Sequence, residues 1–160
     1  MGTRRETCLR ITSLAAILAL RARGQDQSPN RSGEPLTVPF DFAAGRGSLL
    51  VRVRINRRAA LLIVDTGSSH TVLLPSSAGV NSKELAAPRT GAGVSGDAVG
   101  QDVTLELGQH LWQSRVAVMD LSAVLSGYRE KIDGLLGLDF LFEFSQAVIN
   151  LKNRTITFVP

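Results

Sequence analysis

Cysteine is nearly absent from this chain: Cys8 is the only one in 160 residues. A lone thiol closes no internal disulfide, so a folded domain here must hold through its packed core alone. Histidine is almost as scarce. His70 and His110 stand far apart with no ligand-like spacing around them, so neither a metal site nor any other cofactor site is readable. Long apolar runs are missing too. The apolar stretch at 11–20, "ITSLAAILAL", falls short of the roughly 20 residues a membrane-spanning helix needs. There is no internal repeat and no helical pattern longer than a few turns.

What is present at the N-terminus explains the apparent charge. Arg4, Arg5 and Arg10 precede the apolar stretch, and "RARGQDQ" follows it, with Ala22 and Gly24 in small-residue positions. A basic head, a short apolar core and a small-residue exit describe a secretory signal over 1–24. An uncleaved anchor through 11–20 is the competing reading, and only it would bring the protein to a membrane. Cys8 precedes the apolar core, where a lipid-attachment cysteine would follow it. Residues 1–24 carry five of the 18 Lys and Arg and one of the 14 Asp and Glu, which leaves 13 of each in the rest. The net charge of +4 therefore belongs to the signal, and nucleic acid loses its main support as a partner. The expected location is periplasmic or extracellular. Asn30 and Asn153 lie in Asn-x-Ser/Thr sequences, which matter only in a cell that glycosylates exported proteins.

Residues 25–35 are polar and rich in turn formers, and read as a flexible leader. From 36 onward, short apolar or alternating runs are broken by turn residues. Strands are expected at 36–43, 48–55, 59–64 and 70–74, the last stopped by Pro75. A second hairpin is expected from 103–108 and 111–121, and closing strands lie at "AVINL" and "TITFV". Arg52 and Arg54 alternate with Val51, Val53 and Ile55, so the basic cluster reads as a solvated strand face. Residues 86–101 are small, polar and Gly-rich. Residues 122–132 fit a helical turn or a loop equally well. "LDFLFEF" is long enough for a short helix, its Asp139 taken as a cap. The expectation is an all-β domain over 36–160, a small closed barrel with one short helix near the C-terminus.

Asp65 is the residue that calls for chemistry. "LLIV" runs straight into it and "TGSS" follows, so a carboxylate leaves an apolar strand at a turn where Gly67 permits tight backbone. Thr66 and Ser68 offer hydroxyls on either side. An Asp capping a β-turn would look the same, and the residues alone leave both readings standing.

The segment "LLIVDTGSSHTVLL" resembles the active-site segment of aspartic peptidases, and "DGLLGLDFL" resembles that fold's second signature. Order and separation are similar to the single-domain, retropepsin-like branch, including its exported bacterial relatives. The resemblance covers about 36–160. It implies an acid-protease-like barrel in which Asp65 is catalytic and Thr66 braces two such turns across a dimer axis. Gly67 would admit a substrate strand, Ser68 would hydrogen-bond the carboxylate, and Leu135, Leu136 and Gly137 would pack beside the turn. The Gly-rich stretch falls where the family has its flap, with Gly91, Gly93, Val94 and Gly96 as candidates, although no aromatic anchor lies among them and the only tyrosine is Tyr128. No second Asp-Thr/Ser-Gly exists in the chain, so the resemblance implies a homodimer that pairs two copies of Asp65 and cleaves a peptide or protein substrate. Asp133 and Asp139 are the acids to inspect should the second carboxylate lie within one chain. The alternatives are a barrel that binds peptides without cleaving them, and an envelope-tethered assembly protein.

Overall fold

The computed structural model describes residues 33–81 and 98–160. The proposed signal, most of the leader and the four flap candidates lie outside the described residues.

Strand β3 (Leu49–Ile55) shows how the pattern becomes structure. Val51, Val53 and Ile55 are 4 % exposed or less, while Arg52 and Arg54 point to solvent beside Asp41 and Glu106. Each such buried aliphatic side chain contributes roughly 1.5–3 kcal/mol, and the surface ion pairs add little. A tight turn at Asn56 and Arg57, both at positive φ, returns the chain as β4 (Arg58–Val64). The Asn56 carboxamide accepts the Thr104 N–H at 2.9 Å, and its own N–H reaches the Thr104 carbonyl at 2.8 Å. That pair fastens the turn to β6 (Val99–Leu107), which forms a long hairpin with β7 (His110–Val118).

β8 (Gly134–Leu136) pairs in parallel with β4, and antiparallel with β5 (Val72–Leu73). β5 in turn pairs with β7, and β6 returns to β3. The order β3-β4-β8-β5-β7-β6 therefore closes on itself as a barrel, with β2 (Asp41–Phe42) appended to β3. A separate three-stranded sheet runs β1-β10-β9, from Leu36–Pro39, Thr155–Val159 and Gln146–Asn150. Its Leu36, Val38, Ile156 and Phe158 join Val51, Leu62, Leu136 and Phe140 in the main core. This is the mainly β, closed-barrel architecture expected of a retropepsin-like chain.

Several local expectations change. Residues 36–43 form two strands, because the chain breaks at Phe40 between them. Residues 70–74 yield only Val72–Leu73, and Pro75 starts a helical turn, α1 (Pro75–Ala78), at the position where proline's fixed φ suits a helix. α2 (Ser122–Leu125) settles the ambiguous segment as helical, opened by the Asp120 carboxylate accepting the Ser122 N–H at 2.8 Å. α3 (Leu138–Leu141) is the short helix expected near the C-terminus.

The apolar run before Asp65 also finds its reason. Leu62 faces the main core, while Ile63 packs into a second cluster with Ala43, Leu50, Val72, Leu121, Leu125 and Ile132. The barrel wall is covered on both sides there, so the strand reads as continuous rather than alternating.

Candidate active site

Strand β4 ends at Val64 and delivers Asp65, half-buried, into a turn. The Asp65 N–H donates to the Leu136 carbonyl at 3.0 Å, extending the β4–β8 pairing by one bond. The Asp65 carbonyl accepts the Ser68 N–H at 3.3 Å, and its Oδ1 accepts the Gly67 N–H at 2.9 Å. A Cβ at Gly67 would stand 3.2 Å from that same oxygen, so the position keeps the carboxylate's approach clear. Thr66, Ser69 and His70 are exposed around the rim.

The Ser68 hydroxyl does not reach the carboxylate as expected. It donates to the His70 carbonyl at 2.6 Å, because a bond two residues on closes the turn locally. Ser68 thus shapes the loop that carries Asp65, and the Gly67 amide takes over the orienting contact.

The second signature, Leu135–Gly137, follows on β8. Leu136 is fully buried and lends its carbonyl to Asp65, and Leu135 is half-buried against the second cluster. Gly137 is required by close approach: a Cβ there would come within 2.4 Å of the His70 carbonyl and 2.8 Å of the Thr71 nitrogen. Directly after it, the Leu138 N–H donates to the Ser68 carbonyl at 2.9 Å.

Sequence reasoning missed the residue that locks these two loops together. Thr71 is fully buried. Its N–H lies 2.8 Å from both oxygens of Asp139, and its hydroxyl donates to Asp139 Oδ1 at 2.7 Å. The same hydroxyl oxygen accepts the Gly137 N–H at 3.1 Å. Asp139 also accepts the Phe140 N–H at 2.8 Å, but the N-cap of α3 is Gly137. The reading of Asp139 as a simple cap is therefore replaced by a clasp between the Asp65 loop and α3. A threonine opening an apolar strand, with a carboxylate just past Leu-Leu-Gly, was the available signal.

Asp133 is occupied as well. Its carboxylate accepts the Leu61 N–H at 2.9 Å and the Ser77 hydroxyl at 2.7 Å, and its backbone bonds Leu61 and Leu74. Neither Asp133 nor Asp139 is free to face Asp65. Tyr128 sits elsewhere, bonded to the Ser48 hydroxyl at 2.9 Å beneath the Arg46 guanidinium. Cavities of about 340 and 190 Å³ are lined by residues around Asp102 and Arg115, and around Arg58 and Asp133; Asp65 lines neither.

A family profile described as aspartyl protease matches residues 51–140, which span both signatures. No curated protein matches the chain by sequence. Among solved structures, an aspartic proteinase from Irpex lacteus is 16 % identical with a TM-score of 0.53, over 80 % of this chain and 47 % of that one. A retropepsin-like aspartic protease from Rickettsia conorii is 17 % identical with a TM-score of 0.49, over 78 % and 91 %. The retroviral protease-like domain of Ddi1 from Leishmania major is 19 % identical with a TM-score of 0.42, over 71 % and 94 %. At 16 % identity the likeness to the Irpex lacteus structure is one of fold.

Proposed function

This chain belongs to the aspartyl protease family, and on that premise we propose that it is an endopeptidase whose active site is completed by a second copy. One observation carries the reading. Asp65 lies half-buried in a turn held by Gly67 and Leu136, while Asp133 and Asp139 are both committed to hydrogen bonds within the chain. On this reading the second carboxylate is another copy's Asp65.

Two carboxylates facing each other hold one proton between them, because like charges so close do not both ionise. The ionised member takes a proton from a water molecule as its oxygen bonds the peptide carbonyl carbon. The protonated member gives its proton to the carbonyl oxygen. The tetrahedral gem-diol then collapses: the carboxyl that took the water proton gives it to the nitrogen, the C–N bond breaks, and the other carboxylate takes back one hydroxyl proton, so amine and acid leave and the dyad again holds one proton. No covalent enzyme intermediate forms. The Gly67 N–H fixes one carboxylate oxygen, and Thr66, exposed at the rim, would meet its counterpart across the axis. The Gly-rich stretch with Gly91, Gly93, Val94 and Gly96 would close over the bound strand, and residues 1–24 would direct export.

The test is Asp65→Asn, nearly isosteric and so expected to fold. Cleavage of a denatured protein should fall by at least about a thousandfold. Adding an equal amount of the variant to wild type, with subunit exchange, should then halve the total activity roughly, since random pairing leaves wild-type pairs as one quarter of twice as many dimers. Retained activity in the variant overturns the proposed catalyst, and indifference to mixing overturns the shared site.

A further inference from the structure

Strand β4 delivers Asp65 just past its last residue, and a separate cavity opens where the strand begins. In the β3–β4 hairpin Ile55 pairs with Arg58 and Val53 with Ala60, so each pair shares a face of the sheet. Ile55 and Val53 are buried in the main core, which puts Arg58 and Ala60 on the core-facing side of β4. The small side chain of Ala60 leaves room there. Ile55, Ala60 and Arg58 line a cavity of about 190 Å³, together with Ser76 from α1 and with Lys131 and Asp133 from the segment leading into β8.

Charge sets this cavity apart. Arg58 and Lys131 reach it from different elements, and neither forms an ion pair among the described residues. The arginines of the neighbouring strand are not left so, since Arg52 pairs with Asp41 and Arg54 with Glu106. The one carboxylate in the lining, Asp133, already accepts the Leu61 N–H and the Ser77 hydroxyl. The Ser76 hydroxyl has no hydrogen-bond partner among the described residues. Two cations and one carboxylate leave the lining a single positive charge in excess, above an apolar floor.

We propose that this cavity binds a carboxylate with a small apolar body, either a free acid or the end of a peptide chain. The Arg58 guanidinium offers paired donors that match the two oxygens of a carboxylate, Lys131 adds a point charge, and Ser76 adds a third donor. Ile55 and Ala60 receive the apolar body. The volume holds about six waters at roughly 30 Å³ each, which suits a body of a few carbon atoms. A monoanion brings the lining to neutrality, whereas a phosphate dianion leaves excess negative charge beside Asp133, so the carboxylate is preferred. At roughly 3.3 Å per strand residue, β4 carries the chain about 23 Å from Arg58 to Asp65. The site is therefore separate from the Asp65 turn, and its occupancy is independent of the cleavage proposed there.

Saturation-transfer NMR on the full chain reads such binding. The ligands are 4-methylpentanoate and its amide, and a short leucine-ended peptide as free acid and as amide. The peptides are measured in Asp65→Asn, where cleavage does not intervene. An acid should bind with a Kd of about 1 mM, and its amide at least about tenfold more weakly. Arg58→Gln and Lys131→Gln should each weaken the acid at least about tenfold, while Arg52→Gln, outside the cavity, should not. Both residues are exposed, so the variants should keep the fold, which circular dichroism checks. Binding of the peptide acid as tightly as the small acid, or more tightly, identifies a chain end as the ligand; binding of the small acid alone identifies a free acid. If Asp65→Asn and wild type bind the acid alike while wild type cleaves nothing, the proposed reaction fails and this site stands. Binding of neither acid, equal binding of acid and amide, tighter binding of inorganic phosphate in competition, or an affinity unchanged in either cavity variant overturns the site.

Discussion

Thr71→Val is the substitution that probes how the Asp65 loop is held. Valine keeps the shape of threonine and removes its hydroxyl, so the effect isolates hydrogen bonding from packing. Two contacts disappear. The 2.7 Å bond from Thr71 Oγ1 to the Asp139 carboxylate is charge-assisted, a class worth about 1.5–3 kcal/mol. The Gly137 N–H, in a buried bond to the same oxygen, is left without its acceptor, which costs about 1–3 kcal/mol. Among the described residues no other group takes over these bonds, because Thr71 is fully buried and the Asp139 oxygens already accept the Thr71 and Phe140 amides. The expected loss is about 3–5 kcal/mol, a large share of the roughly 5–15 kcal/mol that stabilises a domain of this size. Urea unfolding followed by circular dichroism reads it directly, as a lower midpoint with an unchanged slope. Thr71→Ser keeps the hydroxyl and should lose only about 1 kcal/mol, through its missing methyl. In a double-mutant cycle with Asp139→Asn, the two losses should overlap by about 0.5–3 kcal/mol. A Thr71→Val variant within about 0.5 kcal/mol of wild type, or a strictly additive cycle, would refute the clasp.

Two further outcomes follow from packing and burial. Gly134→Ala would place a Cβ 2.2 Å from the Val72 carbonyl and 3.0 Å from the Leu73 Cα, both backbone, and should cost more than about 4 kcal/mol or prevent folding. Gly79→Ala meets nothing within 4 Å among the described residues, so its positive φ is what should count against it, at about 1 kcal/mol; thermal melts that reverse this order would contradict the β5–β8 packing. His110 is 7 % exposed against Phe140 and Phe144, and neither ring nitrogen has a hydrogen-bond partner among the described residues. Burial holds its pKa below the ordinary histidine value, with Glu143 pulling weakly the other way. The folded state thus favours the neutral ring, a contribution present above the unfolded pKa of about 6.5 and lost as pH falls through the lower folded value. Wild type should therefore lose more thermal stability between pH 7 and pH 5 than His110→Leu does, and equal losses would refute the assignment.

The sequence by itself determined those features that depend on neighbours along the chain. Period-two alternation in 49–55 marks β3, because successive side chains of a strand face opposite ways. The Asp65 turn is legible because an apolar run, a carboxylate and a glycine specify a strand end and tight backbone within four residues. The Leu135–Gly137 signature and the short helix after it are legible for the same reason. Tertiary structure alone decided what lies across the chain. Thr71 and Asp139 meet because β8 lies between β4 and β5, a placement that no local pattern announces. Ser68 could have turned toward Asp65 or toward His70, and the geometry of the folded loop selected the latter. The contrast is sharpest in the closing strands. "AVINL" and "TITFV" are similarly apolar, but the sheet order puts Ile156 and Phe158 over the core and leaves Val148 and Ile149 overhanging its edge. Hydrophobicity along a chain states which residues gain by leaving water; register and sheet order decide which of them a single copy can cover.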